Sequence, residues 1–153
     1  MRSIFHYFLL IIVIIHGNFL AAYAAENKEI ESITVLTDPR LAAPLSELAS
    51  LFARGSGISV ANVFGVSADQ EKKIEDGDSG DVFITSNPDL VQQLKMKGLV
   101  DVYSIGPLAT LSGMHFIAAV VASENMTAAR SFLDFIKSPE GRLIFKKNGV
   151  ATP

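Results

Sequence analysis

The clearest indication of the fold is the stretch ISVANVFGVSADQEKKIEDGDSGDVFITSN, residues 58–87. Residues 58–63 are a short apolar run typical of a β-strand, and a turn at residues 64–66 leads into a polar helix that begins at Ser67. A second strand pattern follows at residues 81–87. The length fits the minimum for a right-handed crossover between parallel strands, so the stretch predicts one strand–helix–strand unit.

Ser67 is predicted to be the N-cap of this helix, because serine side chains accept hydrogen bonds from the first helical N–H groups. The remaining N–H groups and the positive end of the helix dipole would then face the region beyond the first strand's carboxyl end. Such an arrangement suits a small anion. Most helices in α/β domains are capped in this way for stability alone, so both interpretations stay open.

The rest of the chain continues the alternation of strand and helix. Residues 32–37 predict the first strand. Apolar spacing from Leu41 predicts a helix that Gly55 and Gly57 end, and Pro88 opens another helix. This order predicts an α/β fold, a single-lobe three-layer sandwich with a mostly parallel sheet that is covered by helices on both sides.

The second half of the chain has a different pattern. Residues 99–105 predict an extended segment, Gly106-Pro107 predicts a break, and the apolar run of residues 116–121 predicts a buried strand. A long amphipathic helix is expected after Thr127, and Pro139 opens its continuation. Three residues of that continuation are predicted to be buried, namely Leu143, Ile144 and Phe145.

Residues 1–24 have the features of a secretory signal peptide. A positive charge and an unbroken apolar run precede Ala22-Tyr23-Ala24, whose small residues predict cleavage before Ala25. An uncleaved anchor is the alternative, but polar residues interrupt the run well short of the roughly 20 apolar residues that a membrane span needs. We therefore expect a periplasmic protein without a stable membrane anchor, whose mature part, residues 25–153, is one domain.

The composition restricts the function. The chain has no cysteine and a net charge of −3, which exclude thiol chemistry and argue against nucleic acid as a partner. No catalytic motif is present, and the lone histidine of the predicted mature part, His115, is more often structural than catalytic in such a position. Acidic residues around Asp76 and Asp78 lack calcium-ligand spacing. The sequence predicts neither an enzyme nor a cofactor or metal site.

Several segments together resemble the periplasmic molybdate-binding proteins of ABC transporters, which are type II solute-binding proteins. In chain order the segments are ITVL at 33–36, FGVS at 64–67, IEDG at 74–77 followed by GDVFITS at 80–86, and the tail ARSFLDFIKSPE at 129–140 with FKKNGV at 145–150. Their order and spacing are more specific than any one segment. The resemblance implies a site for a small oxyanion, such as molybdate or tungstate, and an ABC permease as partner.

Members of that family have two lobes that close around the ligand, and the second lobe is inserted in the middle of the first. Here the chain passes from the opening half of the first lobe, near Ser104 or Ile105, almost directly to its closing half. The resemblance therefore implies one lobe that surrounds a ligand on one side only. A homodimer with facing sheet ends is one way to supply the other half.

The resemblance also indicates three ligand-binding residues. Ser67 lies where the family has a ligand-binding serine, Arg40 replaces another such serine, and Thr85 ends the third strand on the ligand side. The structural alternatives are an ordinary N-cap for Ser67, a solvated charge for Arg40, and a helix cap for Thr85. Asp38 would repel an anion unless it pairs with Arg40.

These observations lead to two hypotheses. The first, to which the resemblance leads, is an extracytoplasmic domain that binds a small oxyanion for an ABC importer. The second is a non-transporting interaction module, or a truncated remnant, that keeps the fold but no longer traps a ligand. The missing lobe and the presence of Arg40 in place of a serine favour the second.

Overall fold

The computed structural model describes residues 31–153, and the predicted signal peptide lies outside them. Strands form where β-branched and apolar residues run together or alternate. The strands are β1 (Ser32–Thr37), β2 (Ser59–Phe64), β3 (Val82–Thr85), β4 (Gly106–Leu111) and β5 (Met114–Val120). The helices are a 3-10 turn (Pro39–Leu41), α1 (Ala42–Ser56), α2 (Ser67–Glu75), α3 (Pro88–Met96), α4 (Met126–Lys137) and α5 (Pro139–Lys147).

The five strands form one sheet in the order β2-β1-β3-β5-β4. Strand β1 pairs in parallel with β2 on one side and with β3 on the other. Strand β5 is antiparallel to both of its neighbours, β3 and β4. All the strands except β5 therefore run in one direction. This confirms the predicted unit of parallel strands, and β1 lies between the two strands that the unit connects.

Two apolar cores cover the two faces of the sheet. In β1, Val35 and Leu36 are both fully buried, and they enter different cores because successive residues of a strand point to opposite faces. Helices α1, α4 and α5 supply the first core, and α2 and α3 supply the second. The predicted three-layer α/β sandwich is confirmed. Within residues 31–153, no helix has the length and apolar character needed to cross a membrane.

Two boundaries differ in detail from the sequence-based prediction. Helix α1 continues through Gly55 and ends at Gly57, whose φ of 78° is the left-handed conformation that glycine adopts without strain. Of residues 99–105, Val100 forms an isolated bridge beyond the end of β5, and residues 102–104 form a turn. The predicted extended segment is therefore interrupted by a turn at residues 102–104.

The predicted break at Gly106-Pro107 is wrong, because β4 begins at Gly106. Proline has no N–H group to donate, and it is tolerated in sheets mainly at edges and irregularities. Strand β4 is an edge strand, and its register with β5 shifts between Pro107 and Ala109. The proline thus marks an edge strand.

Helix α5 buries fewer residues than its sequence predicts. Leu143 is 66% exposed, whereas Ile144 is 7% exposed and Phe145 is fully buried. Successive helical residues are about 100° apart around the axis, so three in a row rarely face the same core. The prediction that Leu143 is buried is therefore wrong, and the predictions for Ile144 and Phe145 are confirmed.

This difference gives a matched test of the core. Phe145→Ala is expected to lower the free energy of unfolding by about 3–5 kcal/mol, because a large cavity replaces a buried ring. Leu143→Ala in the same helix should change it by less than about 0.5 kcal/mol. Urea unfolding of both variants measures the difference. Equal losses would contradict the orientation of α5.

Candidate ligand site at the strand ends

The carboxyl ends of β1, β2 and β3 lie side by side at the same end of the sheet because these strands are parallel. The loops that follow them border an open cavity of about 640 Å³, here called the strand-end cavity. Two of the three predicted ligand-binding residues, Arg40 and Ser67, lie in its wall. The full lining consists of residues 38–40, 65–68 and 86–87 together with Leu90.

Asp38 and Arg40 form an ion pair just beyond β1. The Nε atom of Arg40 donates to Oδ1 of Asp38 at 2.7 Å, and Nη2 donates to Oδ2 at 2.5 Å. The backbone N–H of Arg40 also donates to Oδ1, at 2.9 Å. The side-chain hydrogen bonds from Arg40 lower the pKa of Asp38, although burial acts in the opposite direction. The sequence left this pair open, and in the structure it is formed and neutralises the carboxylate locally.

The Arg40 side chain is also held by residues of β5. Its guanidinium carbon lies 5.9 Å from the centroid of the Phe116 ring, a distance at which a cation and an aromatic face attract each other. The Nη1 atom contacts Sδ of Met114. The side chain remains 46% exposed. Arg40 is therefore oriented by the protein and still accessible to a ligand.

The N-terminus of α2 has no side-chain cap. Val66 is the N-cap residue in an extended conformation, and Ser67 is the first helical residue. The prediction that Ser67 is the N-cap is therefore wrong by one position. Because the first N–H groups of a helix have no acceptor inside the helix and valine cannot supply one, the N–H groups of Ser67 and Ala68 are donors at the cavity wall.

The loop after β3 is more fully satisfied. Asn87 caps α3, since its Oδ1 atom accepts from the N–H of Asp89 at 3.1 Å. Thr85 is fully buried, and its Oγ1 atom accepts from the N–H of Asn87 at 3.0 Å. The structure thus places Thr85 behind the cavity wall, whereas Ser86 and Asn87 line it. Asn87 was missed from the sequence, although Asn-Pro-Asp is a readable cap pattern.

A second cavity, of about 400 Å³, lies around Asp81 at the opposite end of the sheet, where β1 and β3 begin. The Asp81 carboxylate is already satisfied by protein donors, because Oδ2 accepts from the N–H of Thr34 at 2.7 Å and Oδ1 from Oγ of Ser123 at 2.6 Å. These bonds join β1 to the segments before β3 and after β5. In residues 31–153, no three or more acidic, histidine or cysteine side chains cluster as a metal ion would require. We therefore place the candidate site at the strand-end cavity.

The ion pair gives a pH-dependent prediction. Because the folded-state pKa of Asp38 is lowered, the pair stabilises the fold above the usual aspartate pKa of about 3.9, and this contribution disappears as the pH falls through the folded-state pKa. Wild type should therefore be more stable than Asp38→Asn at about pH 7, and this difference should shrink as the pH falls below about 3.9. Urea unfolding over this pH range is the measurement. A difference independent of pH would contradict the pair.

The model of the bacterial extracellular solute-binding protein family matches residues 33–113, more than half of the chain. The chain belongs to this family. The match ends in the turn Ser112-Gly113, which joins β4 directly to β5. Both turn residues have positive φ, 51° and 81°, as a tight two-residue hairpin requires.

The resemblance implies a junction between the two halves of the lobe near Ser104 or Ile105. In the structure these two residues lead directly into β4, and the family match includes all of β4 and continues to Gly113. The two-residue turn leaves no room for a further domain between β4 and β5. Residues 31–153 therefore form a single lobe around one sheet.

Solved structures show the same fold at low sequence identity. A substrate-binding domain assigned to a molybdenum ABC transporter of Clostridium difficile is 12% identical, with a TM-score of 0.74 over 80% of this chain and 99% of that chain. The periplasmic molybdate-binding protein of Azotobacter vinelandii is 14% identical, with a TM-score of 0.66 over 79% and 99%. A sulfate-binding protein of Mycobacterium tuberculosis is 13% identical, with a TM-score of 0.69 over 80% and 87%. Among curated proteins, no sequence gives a significant match.

Proposed function

We propose that this extracytoplasmic domain binds a small oxyanion, such as molybdate or tungstate, in the strand-end cavity and serves an ABC importer. The observation that carries the proposal is that the uncapped N-terminus of α2 and Arg40 both line the wall of one cavity. An oxyanion only accepts hydrogen bonds, so it requires a set of donors and a positive local field. The names of the three similar structures support this class of ligand.

Three kinds of donor are available to such a ligand. The N–H groups at the start of α2 point outward from the helix, the hydroxyl of Ser67 lies beside them, and Arg40 keeps unused N–H groups on Nη1 and Nη2. Because Asp38 is paired with Arg40, its negative charge is partly offset. An incoming oxyanion would share the guanidinium with the carboxylate.

Two features limit the affinity. Asp69 and Asp89 lie in the first turns of α2 and α3, where their negative charges oppose a bound anion. The single lobe contacts the ligand from one side only, so water stays on the other side and weakens each electrostatic contact. The lone lobe should therefore bind with a dissociation constant in the ~mM range, which corresponds to about −4 kcal/mol.

Isothermal titration with molybdate, tungstate, sulfate and phosphate tests the proposal. Ser67→Ala should weaken binding several-fold, and Arg40→Ala by about tenfold, because a charge-assisted hydrogen bond contributes more than a neutral one. Repeating Arg40→Ala in an Asp38→Asn background separates the loss of the guanidinium from the exposure of the carboxylate. Lys95→Ala, an exposed residue of α3 outside the cavity lining, is the control and should have no effect.

Micromolar binding by a lobe that remains monomeric would contradict the argument from one-sided contact. Tight binding that appears only with dimer formation across the strand ends would mean that a second copy completes the ligand shell. No binding of any oxyanion would favour the second candidate function, a non-transporting interaction module. One observation favours that candidate, since Val66 at the cavity wall is 67% exposed and the adjacent Phe64 is 38% exposed.

A further inference from the structure

The two edges of the sheet are protected differently. At the β4 edge, Thr110 and Ala151 exchange both backbone hydrogen bonds, at 2.7 and 2.9 Å, and Pro107 with the register shift interrupts the ladder. At the other edge, no strand of residues 31–153 lies beyond β2. Strand β2 has the sequence SVANVF, which contains no charge, proline or glycine. Edge strands usually carry such residues because they discourage pairing with another chain.

The hydrogen bonds between β2 and β1 show which groups of β2 face outward. The N–H of Ser59 donates to the carbonyl of Glu31 at 2.8 Å, and the N–H of Gly65 donates to the carbonyl of Thr37 at 3.0 Å. At both ends of β2, the backbone groups that bond to β1 therefore belong to odd-numbered residues. Because backbone groups alternate in direction along a strand, the N–H and C=O groups of Val60, Asn62 and Phe64 point away from β1.

We infer that two copies of this chain associate through β2, in antiparallel pairing about a two-fold axis at Asn62. In this register Asn62 pairs with Asn62 of the second copy, and Val60 pairs with Phe64 of the second copy at both ends. Each of the three outward residues then donates one backbone hydrogen bond and accepts one. The result is a continuous ten-stranded sheet, formed by joining two five-stranded sheets.

The side chains suit the same register. Val60 and Asn62 lie on the face of the sheet that α1 covers, since Val60 packs against that core and Asn62 Nδ2 donates to the carbonyl of Leu45 at 3.3 Å. Phe64 follows on the same face by the alternation of the strand and is 38% exposed. The symmetric contact therefore places an aromatic residue opposite a β-branched one, a favourable cross-strand pair.

A second copy fits this edge because the strand is its own complement. A two-fold axis requires one surface to match itself, and a strand without charges meets no like-charge repulsion when it pairs with an identical strand. The contact does not use the side chains of Arg40 or Ser67. It should therefore form with or without a ligand.

Sedimentation velocity over a range of protein concentrations tests the association and its register. The double variant Val60→Lys/Phe64→Lys places lysine opposite lysine at both ends, and loss of the dimer is expected. The matched variant Val60→Lys/Phe64→Glu places lysine opposite glutamate, and the dimer should be retained. Thermal melting of the two variants, which share the change at the half-buried Val60, establishes that both are folded.

Any one of the following outcomes would overturn the inference. A wild-type protein that is monomeric at every concentration would exclude the contact. Two variants that are both monomeric, or both dimeric, would exclude this register. Association that requires molybdate, or that Ser67→Ala abolishes, would mean that the copies meet at the strand ends. These results are independent of whether the cavity binds an oxyanion.

Discussion

Strand β1 constrains the rest of the lobe because it is hydrogen-bonded on both edges and covered on both faces. Its neighbours β2 and β3 are both parallel to it, so the chain must cross from one to the other through helices. Val35 and Leu36 enter opposite cores and require a helical layer on each side. The same parallel arrangement brings the carboxyl ends of three strands to one end of the sheet, and the candidate site is a consequence of that arrangement.

The chemistry of the site follows from what comes directly after these strands. Asp38 follows β1 and is buried to 8% exposure, so its carboxylate needs a partner, and Arg40 two residues later supplies one. After β2, the chain enters α2 through a valine, which leaves the helix donors unsatisfied by any side chain. After β3, the side chains of Thr85 and Asn87 accept from the backbone N–H groups of Asn87 and Asp89. The available donors are therefore concentrated on the β1 and β2 side of the cavity.

Features that depend on neighbouring residues could be predicted from the sequence, whereas contacts between residues far apart in the sequence could not. The apolar runs that become β1, β3 and β5 are visible directly, and the Asp38–Arg40 pair was predictable because its members are two residues apart. The support of Arg40 by Phe116 was not, because that contact depends on the hairpin between β4 and β5. Position-specific errors, such as Ser67 as the N-cap and Leu143 as a buried residue, arise because periodicity does not fix a helix start or its rotation within one residue.

We propose that the donors of α2 and Arg40 at the strand ends form the ligand site of this single lobe. Backbone amide NMR during a molybdate titration tests this proposal, because it reports each N–H group separately. We expect the signals of Ser67 and Ala68 to shift most and in proportion to occupancy, while those of Ser79 and Ser123 at the amino ends of the parallel strands stay unchanged. Shifts centred on Ser79 and Ser123, with none at the start of α2, would contradict it.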